Sequence, residues 1–129
     1  MKFEDIAKYI ESKIPRVRRG RSLFVNQMPA EAEFAVLLKE SYAGVEIDPY
    51  MPGLRRGKFQ VVVRGKDFSE TKNLIEEISR VLKLQETAFT EIDVKVCIPL
   101  HEPIPFAVSD GALHEFSVNF FAVYVIVGE

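Results

Sequence analysis

At 129 residues the chain is long enough to close a hydrophobic core without disulfides or a structural metal, and it reads as one domain, residues 1–129. Hydrophobic residues make up 47% and charged residues 28%, the balance of an ordinary soluble globular protein, and a formal net charge of −2 excludes a polyanion binder that works through overall charge. The single cysteine, Cys97, excludes an internal disulfide framework; in an apolar run it reads as a small buried hydrophobe in a reducing compartment.

The N-terminal stretch MKFEDIAKYIESKI lacks the uninterrupted apolar core of a signal peptide, so synthesis in the cytoplasm is expected. Its Phe3, Ile6, Ala7, Ile10 and Ile14 recur at helical spacing and predict an amphipathic helix that stops at Pro15. Arg16, Arg18, Arg19 and Arg21 follow, around Gly20. This cluster is either a solvated connector or a contact to phosphate or to acidic groups of a neighbouring subunit, since guanidinium forks suit both. Ser22 to Gln27 predicts a strand stopped by Met28-Pro29. Phe34 to Lys39 predicts another, buried on both faces. Ala, Leu and Glu content allows a helix over Glu31 to Glu40, but Pro29, Gly44 and the Phe and Val within favour the strand.

Ser41 to Gly57 is expected to be one long loop, with turn signals at Asp48-Pro49 and Pro52-Gly53. Tyr50, Met51 and Leu54 stand in it beside a second basic cluster, Arg55, Arg56 and Lys58. Such a loop is either a binding element or one that folds back and buries its own Tyr and Met. The central unit comes next. Val61 to Val63, bounded by Gly57 and Gly65, predict a short strand. Asp67 and Glu70 have the spacing of a capping box, and Phe68, Thr71, Leu74, Ile75, Ile78, Val81 and Leu82 form the apolar stripe of a helix.

Ile92 to Leu100 predicts a half-buried strand with Ile92, Val94, Val96 and Ile98 on one side and Asp93, Lys95 and Cys97 on the other. Pro99, Pro103 and Pro105 forbid a central strand in the segment after it, and Ser109-Asp110-Gly111 predicts a turn. Phe116 to Val127 predicts a long strand, apolar on both faces beyond Phe121; the run from Phe120 is too short to span a bilayer, so no membrane is expected. The class is α+β: a mixed, mainly antiparallel sheet of about five strands with two helices packed on one face. The other face is expected to receive partners.

Signatures of chemistry are sparse. His101-Glu102 and His114-Glu115 lack the spacing of a metal site, Cys97 lacks a nucleophile signature, and no phosphate-loop or dinucleotide fingerprint occurs. Arg64 to Asp67 leads into a helix N-terminus, but a strand-to-helix turn explains it. No catalytic residue, cofactor or metal is expected.

The order of an N-terminal amphipathic helix, LFVNQMP, FAVLLKE and then QVVVRGKDFSETKNLIEEISRVL resembles the tail-terminator and minor capsid (tail-to-head joining) proteins of long-tailed bacteriophages, over roughly Met1 to Leu84. The resemblance implies a non-enzymatic virion protein that forms a hexameric ring at the head-proximal end of the tail tube. That ring would stop tube polymerisation and join the tail to the head, with itself, the tube protein and a head-completion or neck protein as partners. It makes Tyr50, Met51, Leu54, Arg55 and Arg56 expected contacts to tube or neck, and Arg16, Arg18, Arg19 and Arg21 expected subunit or lumen contacts. DNA in the lumen could meet Arg16 to Arg21 or Arg55 to Lys58. The alternatives are a head-completion protein of the same virion, or a small DNA- or ligand-binding domain.

Overall fold

The C-terminal apolar run becomes the longest strand, and the rest of the sheet is laid beside it. A computed structural model describes residues 1–106 and 113–128; the turn expected at Ser109-Asp110-Gly111 lies outside the described residues. In chain order the elements are α1 (Glu4–Lys13), β1 (Leu23–Val25), β2 (Ala35–Glu40), β3 (Glu46–Ile47), β4 (Leu54–Gly65), α2 (Phe68–Val81), β5 (Leu84–Ala88), β6 (Ile92–Pro99), β7 (Ile104–Pro105) and β8 (His114–Ile126). The strands form one sheet in the order β1-β2-β4-β8-β6-β5, with β3 added to β4 and β7 to β8. Among the strand pairs of the described residues only β1–β2 is parallel. The α+β class is as expected, but the sheet has eight strands rather than about five.

Both helices form where periodicity places them. α1 ends before Pro15, which cannot extend it, and its Ile6, Ala7 and Ile10 are fully buried. α2 starts on Asp67, whose carboxylate accepts the Glu70 N–H at 2.8 Å; the Thr71 hydroxyl donates to the Asp67 carbonyl at 2.6 Å. Leu74, Ile75, Ile78 and Leu82 are then buried, each worth about 1.5–3 kcal/mol on removal from water. The two helices share one face of the sheet, where their apolar stripes meet Phe59, Val61, Val118 and Phe120. Phe59 stacks on Phe120 with ring centroids 5.1 Å apart, and Phe3 of the N-terminus meets Phe59 edge-on at 5.6 Å.

Four strand expectations need correction. The valine run is the middle of a 12-residue β4 that begins at Leu54, so Leu54 to Gly57 are strand rather than loop. Gly57 is not a strand end: a Cβ there would lie 2.8 Å from Val45 Cγ2, so glycine admits the neighbouring loop. β3, β5 and the two-residue β7 are strands that the sequence pattern does not signal. In β6 the alternation breaks, because Val94 pairs with Tyr124 but Val96 with Val123, leaving Lys95 as the extra residue of a bulge. Past the bulge the faces exchange: Cys97 enters the core with Ile92 and Val94, while Val96 and Ile98 turn to the other face. β5 follows the distortion at Glu86, which has φ 46°.

The prolines behave as expected. Phe106 donates its N–H inward to Glu115 at 2.8 Å, so the alternating Pro103 and Pro105 face the free edge, where no N–H is left unpaired.

Candidate interaction surfaces

The first basic cluster is largely committed within the chain. Arg16 pairs with Glu77 of α2 at 3.0 Å, and Arg19 pairs with Glu4 of α1 at 2.9 Å. The Glu4 hydrogen bond to Arg19 holds the Glu4 carboxyl below its usual range. The loop itself is tied by the Arg18 carbonyl, which accepts N–H bonds from Arg21, Ser22 and Leu23. Arg18 and Arg21 are exposed and make no ion pair among the described residues. Half of the cluster therefore orients the connector, and half remains available.

The second cluster sits on a hairpin arm. β3 pairs with Arg55 and Arg56 of β4, extending the sheet beyond the end of β2. Asp48 organises the tip: its Oδ1 accepts the N–H of Met51 at 2.8 Å and of Tyr50 at 2.9 Å, and its Oδ2 accepts Arg56 at 3.1 Å. These bonds, the Met51 and Tyr50 amides first, hold the Asp48 carboxyl below its usual range. Arg55 donates to the Pro52 carbonyl; Arg55 and Arg56 are half-buried and Lys58 is exposed. The loop does not bury its own side chains. Tyr50 is 92% exposed and Met51 59%, with Ile47 beside them at 57%. The two basic clusters share no ion pair or hydrogen bond among the described residues.

The helix-free face of the sheet divides in two. Near β1 it is closed: Ala35, Leu37, Val62 and Ser117 are buried. Arg64, ion-paired to Glu115 at 2.7 Å, donates to the carbonyls of Ala30 and Ala32 at 3.2 Å, holding the β1–β2 connection. Near the arm it is open, and its apolar side chains alternate with Lys58, Arg56 and Asp93. Cross-strand rows place Phe121 beside Ile98, Val123 beside Val96, and Val125 beside Leu54. All are half-buried except Ile98, which is exposed. Sequence alternation had put Val96 and Ile98 on the opposite face, so this patch is wider than anticipated. A bulge has no local signal that would have revealed it.

The residues tested for chemistry have other partners. His101 Nε2 accepts the Asn119 N–H at 3.1 Å, completing the β8 ladder in the gap between β6 and β7. His114 lies edge-on to Phe68 at 5.5 Å, and Glu115 belongs to Arg64. Burial pushes the Cys97 thiol up to about 12. Lys66 pairs with Glu33 at 2.7 Å while Asp67 caps α2, so the segment is a strand-to-helix turn. Among the described residues no three metal-ligating side chains converge. No helix there is long and apolar enough to cross a membrane.

Among solved structures the fold is similar to a chain of the virion of a native gene transfer agent particle, with a TM-score of 0.61 and 14% identity. The match covers 82% of this chain and 80% of that one. At that identity the likeness concerns the fold. No protein-family model matches the chain, and no curated protein matches it.

Proposed function

We propose that this chain is a structural virion protein that forms a ring at the head-proximal end of a phage-like tail, ends tube growth and joins the tail to the head. The likeness of the whole fold to a chain of a gene transfer agent virion carries the reading. The surfaces support it. A subunit of a closed ring needs surface for two different neighbours, because a head-to-tail contact joins unlike patches. The apolar side chains of the helix-free face near the arm, Leu54, Val96, Ile98, Phe121, Val123 and Val125, offer one such patch, edged by Lys58 and Arg56. Arg18 and Arg21, left unpaired, suit a contact to a neighbour's acidic groups or to the lumen. The arm tip, with Tyr50 and Met51 presented by the Asp48 turn, is the contact to tube or neck.

The structure improves the choice of test residues. Arg56 anchors Asp48, so replacing it would disturb the arm as well as any contact. Tyr50 and Met51 are exposed and replaceable. A Tyr50→Ser, Met51→Ser variant should keep the wild-type melting temperature and the ability to self-associate, yet fail to complement tail joining in particles lacking the wild-type protein. Full complementation by this variant would remove the arm from the assignment.

A further inference from the structure

A row of polar side chains crosses the helix-free face between its closed and open halves. Lys39 of β2, Gln60 of β4 and Asn119 of β8 stand side by side in register, with the Gln60 amide donating to Asn119 at 3.3 Å. Lys58 lies two residues from Gln60 on the same face, so the two lysines are diagonal neighbours, a spacing of about 7–8 Å in an antiparallel pair. Like charges so placed repel, and neither lysine has a carboxylate partner among the described residues. Glu40, at the rim of the depression, pairs with the N-terminal ammonium at 2.7 Å; Glu115, further along, is held by Arg64. Tyr42 rises from the loop beside this row, 95% exposed. One side of its ring meets the Lys39 ammonium at 5.2 Å, and the rest is open. Phe121 stands next to Lys58 in the adjoining row, half-exposed. The row and loop line a shallow depression of about 260 Å³.

We propose that this row is a binding site for single-stranded nucleic acid. Two ammonium groups without carboxylate partners take consecutive phosphates, the open side of the Tyr42 ring stacks an unpaired base, and the Gln60 carbonyl oxygen accepts from a base edge, while the Asn119 amide, engaged by Gln60 and His101, holds Gln60 in place. Flexible strands are favoured over duplex because stacking needs bases free of their partners. This site is separate from Arg16–Arg21, where Arg16 and Arg19 are already engaged with Glu77 and Glu4. It does not depend on the virion reading.

The test is fluorescence anisotropy of the full chain with labelled oligothymidylate, thymidine monophosphate as competitor, and a duplex of equal length. Binding of the oligonucleotide should weaken steeply with added salt, with the duplex and the mononucleotide each at least about tenfold weaker. Tyr42→Ala should weaken binding about tenfold, and Lys39→Glu with Lys58→Glu should lose more and flatten the salt dependence. All these side chains are exposed or half-exposed, so unchanged circular dichroism melting serves as the folding control. Equal affinity for duplex, wild-type binding by the variants, or no binding at low salt would overturn the proposal. So would variants that lose only self-association, which would make the row a protein contact.

Discussion

Asp5 shows how a single buried charge organises this chain. It is 6% exposed, yet its Oδ2 accepts the backbone N–H of Glu91 at 2.7 Å and of Ile92 at 3.2 Å, pinning α1 to the β5–β6 turn. Asp5→Ala strands two donors, so urea denaturation should show a loss of about 1–3 kcal/mol. Nothing in the sequence marks this role, because the partners are backbone groups more than eighty positions away. Cys97 is the opposite case: its place in an apolar run made its burial legible, though on the face opposite to the one alternation assigns. Its folded thiol, raised by burial to about 12, stays protonated where an unfolded one at about 8.5 ionises. Above that pH the unfolded chain binds fewer protons than the native one, so stability falls as pH rises. Between about pH 7 and 10 the wild type should lose about 2 kcal/mol more than Cys97→Ala in parallel urea titrations. Burial raises Tyr124 in the same direction, and that loss is common to both proteins.

Among the elements, those that bury a periodic stripe were readable and those that depend on neighbours were not. The α2 stripe and the β8 alternation appear in the chain because the core demands them. β5, LQETA, is an edge strand with one core residue, Leu84, so it carries almost no pattern. Leu54 to Gly57 look like loop because their strand is imposed by β8 on one side and β3 on the other. Gly65 is readable only in part. It ends β4 as expected, but its further role is steric, since a Cβ there would collide with the Thr71 hydroxyl that bonds back to Asp67. Gly65→Ala should therefore loosen the first turn of α2. A melting temperature lower than wild type, with faster amide exchange at Glu70 and Thr71, checks this; an unchanged melting curve contradicts it.

Across the whole molecule, helices cover the sheet on one face only among the described residues, and the other face and the arm expose apolar and basic side chains. Sequence reasoning anticipated that division, because two helices cannot cover both faces. Arg16, Arg19 and Arg56 are ion-paired within the chain, while Tyr50 and Met51 are presented outward. In the function proposed above, the outward surfaces end a tail and join it to a head. Electron microscopy of lysates from a phage or prophage with this gene disrupted tests that claim most directly. The account predicts full heads beside separate, overlong tails, because only loss of a stop signal lets the tube keep growing. Tails of normal length beside leaking heads would assign the chain to head completion instead, and intact, infectious particles would contradict the account altogether.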